Sequence, residues 1–396
     1  THIGYSVEKI IWKHMYSLNN FDIKKFLSQY WQKKPLVIKQ ALKNFIDPLD
    51  EHDLAGLGQE PSIDSRIVSQ TNNVWQVSHG PFEDVNAHCS GAWSLLVQSV
   101  DHFVVEADEL MRAFDFIPHW RMDDLMVSFS NKDAGVGSHL DQYDVFIIQG
   151  KGSRRWQVGL PGNFDKIRPH KDLSQISGFE PIIDQILLPG DVIYIPANHP
   201  HNGVALEECL NYSVGFRAPT QQEMLSSFAD FAIDNNLFNE RYTDQELAPR
   251  NFSGEIKQQE IARFRHMLQQ LLETEQFTNW TAQFLSRGSE KQDFDEQDIQ
   301  HFSYQDVDDK LKVGSQFVRC PGVKAVFVEQ SPFNNEDFTF YIQAEAFSVP
   351  LTSKDLVLDF LNRPTFHLEN TELHKSSMSF TQLVTTMVNI GYWYTD

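Results

Sequence analysis

From Asp124 to Arg217 the chain is cut into short runs that alternate apolar and polar residues, and each run stops at a glycine or a proline. Residues two apart in an extended chain share a face. Asp124, Met126, Ser128 and Ser130 therefore fall on one side of the first run, with Leu125, Val127 and Phe129 on the other. A glycine-rich turn (Gly135, Gly137) leads to a second strand that ends at Gly150-Lys151-Gly152, a tight hairpin signal, and returns as Ser153 to Val158. Further strands read at Ile182 to Leu188, Val192 to Ile195 and Asn211 to Arg217. About ninety residues of this texture predict a mainly β domain built as a double-sheet jelly roll.

Chemistry enters at the second strand, Ser138-His139-Leu140-Asp141-Gln142-Tyr143-Asp144-Val145-Phe146, which opens with His-x-Asp. Spaced by two, His139 and Asp141 can both address one metal ion. Alone that pair is common. Sixty residues on, Leu188-Pro189-Gly190-Asp191-Val192-Ile193-Tyr194-Ile195-Pro196 and the loop after it deliver two more histidines, His199 and His201. Pro200 restricts the approach to His201 and Gly203 lets the chain turn away, which favours His201 as third ligand and His199 as a supporting or surface residue. Two imidazoles and one carboxylate occupy one face of Fe(II) and leave three positions open. A chelating oxo-acid fills two and dioxygen the third. The far carboxylate of such an acid needs a fixed cation, and a guanidinium stays charged when buried and grips with two parallel bonds. Arg154, which shares a strand face with Trp156 and Val158, is the candidate, while Arg155 points outward. An ordinary exposed strand arginine is the competing reading.

Elsewhere the chain reads as supporting structure. A helix is expected over Phe21 to Trp31, ended by Pro35, then a strand at Leu36 to Ile38. Amphipathic helices are expected at Asp50 to Leu57 and at Trp93 to Phe103, with a strand at Asn73 to Ser78. The first fourteen residues carry no clear pattern. Past Pro219 the β signal stops, and Met224, Leu225, Phe228, Phe231 and Ala232 repeat with helical period, as do Ile261, Phe264, Leu268, Leu271 and Leu272. Such stripes pack either on a second copy of the chain or on their own jelly roll. After an acidic link at Gly288 to Gln300, helices and strands follow in the order of a winged helix, but Phe380 to Ile390 carries no Lys or Arg, so no direct DNA binding is expected. The expected division is 1–218 catalytic, 219–288 helical and 289–396 winged helix.

Composition narrows the partners. With 54 acidic against 33 basic side chains the chain carries a formal charge of −21, which repels nucleic acid and attracts basic proteins. Cys89, Cys209 and Cys320 are scattered without metal-binding spacing, as in a reducing compartment. No apolar run approaches the ~20 residues of a membrane span and no signal peptide is read, so a cytoplasmic location is expected.

The segments His139-x-Asp141, Gly152-Ser153-Arg154-Arg155-Trp156, Pro189-Gly190-Asp191, Pro200-His201 and Asn211-Tyr212-Ser213-Val214-Gly215-Phe216-Arg217 together resemble the JmjC oxygenases. Within them they are most similar to the bacterial ribosomal oxygenases that hydroxylate an arginine of a large-subunit ribosomal protein. The resemblance runs from about Phe21 to Trp393, taking in Trp75 to Phe82. It implies a cupin-like double-stranded β-helix, then an α-helical dimerisation domain and a C-terminal winged-helix α+β domain. It also implies Fe(II), 2-oxoglutarate and O2, a homodimer, and a basic ribosomal protein as substrate. Carried across, His139, Asp141 and His201 hold iron, and Arg154, with Ser128 on the facing strand, holds 2-oxoglutarate. Asn211 is expected to hydrogen-bond near the metal end. Asp124, Met126, Tyr143 and Ser213 resemble the arginine-binding pocket: a carboxylate for the guanidinium tip, flat or apolar walls for its stem. Read without the family, Met126 and Tyr143 are core residues and Asp124 caps a turn. Rival functions are the same chemistry on a histidine or a methylated lysine, and a non-catalytic cupin-like binding protein.

Overall fold

The computed structural model describes residues 16–288, 300–329, 336–368 and 377–395. The first fourteen residues and nearly all of the acidic link fall outside these. The chain divides into two units, Thr1–Ala218 and Pro219–Asp396.

In the first unit α1 (Ile23–Gln29) starts at Asp22, whose carboxylate accepts from the Lys25 amide, and buries Phe26. Phe26 anchors an aromatic cluster with Trp31, Phe116, Phe146 and Tyr194. After β1 (Leu36–Ile38) comes α2 (Glu51–Leu57), opened by a reciprocal capping box between Asp50 and Asp53. Then follow β2 (Ser65–Thr71), β3 (Val74–His79) and β4 (Ala92–Val97). The helix expected over Trp93 to Phe103 is therefore a strand and a single 3-10 turn, with α3 (Val105–Arg112) beginning only afterwards. The segment is apolar on both faces, because Leu95 and Val97 enter one core and Leu96 another. Such a run fits either period, and pairing with both neighbouring strands decides the outcome.

The remaining strands are β5 (Met122–Ser130), β6 (Asp144–Gln149), β7 (Arg154–Gly159), β8 (Lys166–His170), β9 (Leu173–Ile176), β10 (Pro181–Leu187), β11 (Val192–Ile195), β12 (His201–Ala205) and β13 (Cys209–Phe216). They form an eight-stranded sheet in the order β1-β11-β6-β13-β5-β4-β2-β3 and a three-stranded sheet β10-β7-β12, with β8-β9 as a separate hairpin. Gly150 to Gly152 is thus not a hairpin. β6 and β7 lie in different sheets, and the turn is a corner between them. Gly152 adopts φ +75°, and a Cβ there would meet the Glu208 carbonyl oxygen, so only glycine fits the corner.

Every residue of β6 is buried, since the large sheet is covered on both faces. Phe146 and Ile148 pack with the N-terminal helices, whereas Val145 and Ile147 pack across on Trp156, Val158 and Leu187 of the small sheet. Between the two sheets lies the cavity described below. This is the expected jelly roll.

The second unit begins with α4 (Gln221–Asp234), α5 (Gln258–Leu272) and α6 (Glu275–Leu285). It continues through α7 (Tyr304–Lys312), β14 (Phe317–Arg319), β15 (Val326–Phe327), β16 (Asp337–Ile342), β17 (Glu345–Pro350), α8 (Lys354–Asn362), β18 (Thr365–Phe366), α9 (Met378–Asn389) and β19 (Trp393–Thr395). Its small α+β region closes on Phe317, Phe340, Phe360, Phe380 and Trp393. Helix α6 is tied to it: Tyr341 donates to Asn279, and the Gln343 and Ala344 amides donate to Ser286. Neither α4 nor α5 buries a residue, and Leu225, Ile233, Phe264, Leu268 and Leu272 are all at least half exposed. Among the described residues no helix is long and apolar enough to cross a membrane.

Candidate active site

His139 and His201 sit opposite each other as an antiparallel bridge, each amide donating to the other's carbonyl at 3.1 Å. That pairing explains why His201 begins a strand where a loop was expected. It also brings the rings to 4.2 Å between centroids. Asp141 is held by its own backbone, whose carbonyl accepts from the Asn198 amide at 2.7 Å. Its Oδ2 lies 3.4 Å from His201 Nε2 and 3.8 Å from His139 Nε2. Ligand atoms of all three fall within 4.8 Å of one another, close enough for one ion to touch all three. Among the described residues no other such group forms.

The tautomers are dictated by the backbone. His139 Nδ1 lies 2.9 Å from the Gly137 carbonyl and His201 Nδ1 lies 2.9 Å from the His199 carbonyl. A carbonyl only accepts, so each Nδ1 carries the hydrogen and each Nε2 keeps a lone pair aimed at Asp141. Burial, and then the neighbouring His201, pull the His139 pKa down to about 4, so that ring is neutral at pH 7. Burial pushes the Asp141 carboxyl up, but the adjacent His201 and His139 outweigh it and hold it below the usual range. Two neutral imidazoles and one carboxylate on one side are the donor set of a divalent iron face. His199 is also buried, but its Nδ1 faces the Ala197 carbonyl and it takes no part in the group.

The cavity of about 340 Å³ between the sheets runs from this group to Arg154. Pairing of β7 with β12 sets Val158 opposite His201, Trp156 opposite Gly203 and Arg154 opposite Ala205. Arg154 faces inward and is only 5% exposed, whereas Arg155 points outward onto Asp184. Its Nη1 donates to Asn211 Oδ1 at 2.8 Å, its Nη2 to Ser130 Oγ at 3.0 Å, and its buried Nε has no partner. Among the described residues no carboxylate pairs with it. Burial lowers its pKa, yet an arginine remains charged at neutral pH. A buried cation without a counter-ion is costly unless an anion arrives to neutralise it. Gly203 is required in this wall, because a Cβ there would stand 2.7 Å from the Trp156 ring.

Ser128, Asp124, Met126, Tyr143, Ser213 and Asn211 all line the same cavity. Asn211 departs from its expected position. It bonds Arg154 and, through Nδ2, Gln149 at 2.8 Å, so it serves the guanidinium end and not the metal end. The cause is register: β13 pairs Asn211 with Ser128, one inward position from Ser130 on β5. Asp124 accepts from the Ser99 amide at 3.1 Å and still lines the cavity. Ser130, bonded to Ser94 at 2.7 Å, escaped the sequence reading as a site residue, and so did Arg66, Gln98 and Asp172. Ser130 had one signal, its shared face with Ser128. The others reach the cavity through long-range pairing that no local pattern carries.

The JmjC domain family matches residues 109–224. The chain is 40% identical over 375 residues to the Escherichia coli ribosomal protein uL16 3-hydroxylase, covering 93% of this chain and 96% of that one. A Haemophilus influenzae probable ribosomal oxygenase is 36% identical over 208 residues, about half of each chain. The X-ray structure of Escherichia coli ycfD superposes with a TM-score of 0.88 at 40% identity, covering 96% of this chain and all of that one. A structure of the same ribosomal oxygenase in complex with cobalt and 2-oxoglutarate superposes at 0.85, covering 96% and 99%. The fold and the three gathered ligands define a JmjC oxygenase. Within that class the chain belongs to the ribosomal oxygenases.

Proposed function

We propose that this protein hydroxylates an arginine side chain of ribosomal protein uL16, using Fe(II), 2-oxoglutarate and O2. The observation that carries the reading is one cavity with a two-imidazole, one-carboxylate face at one end and an unpaired buried guanidinium at the other. His139, Asp141 and His201 would hold the iron through Nε2, Nε2 and a carboxylate oxygen. When bound, iron with 2-oxoglutarate and O2 supplies the oxidation: the oxo-acid leaves as succinate and carbon dioxide, and one oxygen atom enters a C–H bond. Arg154, braced by Asn211 and Ser130, receives the distal carboxylate, and Ser128 lines the same end. The four residue steps from Arg154 to Val158, which sits opposite His201, span about 13 Å.

Asp124 meets the substrate guanidinium, with Met126, Tyr143 and Ser213 around its stem. These residues orient the stem carbon and exclude water, the protein's share of such a reaction. The acidic surface suits a basic ribosomal protein, offered before it is covered by rRNA in the cytoplasm. Residues 219–288 form a dimerisation domain, supported by the exposed apolar stripe Ile261, Phe264, Leu268 and Leu272 on α5. Residues 289–396 form a winged helix used for packing or protein contact, since α9 carries no basic residue.

The test is to incubate the protein with purified uL16, Fe(II) and 2-oxoglutarate and map the product by mass spectrometry. One added oxygen on an arginine, matched by succinate, is expected. Oxygen on a histidine, or loss of a lysine methyl group, would redirect the reading, and no succinate at all would end it.

A further inference from the structure

The cavity holds a second guanidinium. Arg66 lies in β2 between Ser65 and Ile67, which turn into the core, so Arg66 and Val68 face the other way. A row of paired residues runs from it across the large sheet: Arg66 opposite Leu96, Leu96 opposite Ser128, Ser128 opposite Asn211. Arg66 therefore shares a cavity wall with the residues that brace Arg154, but lies two strands from Ser130 and three from Asn211. Burial separates the two ends. Arg154, Ser130 and Asn211 are almost wholly buried, whereas Tyr143 is 39% exposed and Asp172 and Ser174, on the β8-β9 hairpin, are exposed. Arg66 is half-buried and lines the cavity together with these mouth residues. Its Nε is buried without a hydrogen-bond partner, and among the described residues no carboxylate forms an ion pair with it.

A cation at the mouth of a pocket that receives a cationic side chain is a liability unless it meets an oxygen. The 2-oxoglutarate carboxylate is already provided for at the deep end. What enters at the mouth is polypeptide, and every residue of it brings a carbonyl. We propose that Arg66 donates to a main-chain carbonyl of the uL16 segment beside the target arginine and so fixes which residue reaches the iron. Repulsion between the two guanidinium groups works in the same direction, steering the substrate side chain toward Asp124. This inference rests on the proposed function.

The test compares wild type with Arg66→Met, Arg66→Gln and Arg66→Lys, measuring KM for purified uL16 and, separately, KM for 2-oxoglutarate. Loss of one charge-assisted hydrogen bond predicts a uL16 KM raised about 10- to 100-fold in the methionine variant. The 2-oxoglutarate KM stays at the wild-type value, and lysine recovers part of the uL16 loss. An unchanged uL16 KM overturns the inference. So does a parallel rise in both constants, which would assign Arg66 to the cosubstrate or to folding. If wild type itself adds no oxygen to uL16, the proposed function falls and this inference with it. If wild type reacts and Arg66→Met reacts equally well, only the inference falls.

Discussion

Replacing Arg154 by methionine removes a charge that no carboxylate among the described residues neutralises. In the protein as it stands, two nitrogens of the guanidinium are committed to Asn211 and Ser130 and the third has no partner. On the proposed function, the distal carboxylate of 2-oxoglutarate would supply the missing counter-charge in this buried site. Breaking a buried charged pair by deleting one partner costs about 3–5 kcal/mol. At about 1.4 kcal/mol per tenfold, Arg154→Met should weaken 2-oxoglutarate binding by roughly 100- to 3,000-fold. Arg154→Lys keeps the charge and loses the fork, so about one charge-assisted bond disappears and the loss is nearer 10- to 100-fold. The assay is calorimetric titration of 2-oxoglutarate into Co(II)-loaded protein, with thermal unfolding as a second readout. At 100 times its dissociation constant the ligand stabilises wild type by about 2.7 kcal/mol, and the methionine variant at that concentration should gain almost nothing. A methionine variant that binds 2-oxoglutarate as tightly as wild type would refute the assignment, whatever its turnover.

Four further outcomes follow from the same geometry. His201→Ala should abolish Fe(II) binding measured by equilibrium dialysis, while His199→Ala retains it. Retained binding in the His201 variant would move the third ligand elsewhere. Asp124→Ala should lower uL16 turnover about 10- to 100-fold, the loss of a charged hydrogen bond, and leave the calorimetric affinity for 2-oxoglutarate intact. Gly203→Ala drives a methyl group into the Trp156 ring, an overpacking that costs about 1–3 kcal/mol by denaturant unfolding and displaces the wall between the two ends of the cavity. Phe264→Glu with Leu268→Glu places charges in the apolar stripe of α5; if α5 is the proposed dimer face, sedimentation should report a dimer for wild type and a monomer for the double variant.

Much of the catalytic unit was legible because its chemistry follows the period of a strand. Alternation sets Arg154, Trp156 and Val158 on one face of β7; His139 and Asp141 are not on a strand as expected, since both precede β6 and only His139 pairs, as an isolated bridge to His201. What escaped depended on pairing partners far away in the chain. Trp93 to Val97 reads as helix or strand with equal ease when both of its faces are apolar, and only β2 and β5 settle it. A corner between sheets and a hairpin carry the same glycine signal, so Gly150 to Gly152 could not announce that β7 joins the opposite sheet. Which end of the cavity Asn211 serves depends on its register against β5, which pairs it with Ser128 and sets it beside Arg154. Arg66 lies about seventy residues before the His-x-Asp pair, and no local pattern marks it as part of the site.

The central claim is that one ion binds at His139, Asp141 and His201 with a dicarboxylate stretched from it to Arg154. Anomalous diffraction from crystals of the Co(II)-loaded protein, soaked with 2-oxoglutarate without turnover, reads both halves at once. The expected result is a single anomalous peak in contact with both Nε2 atoms and an Asp141 oxygen, with continuous density from the metal to the Arg154 guanidinium. A peak bound elsewhere, or a ligand whose distal carboxylate lies away from Arg154, would contradict it.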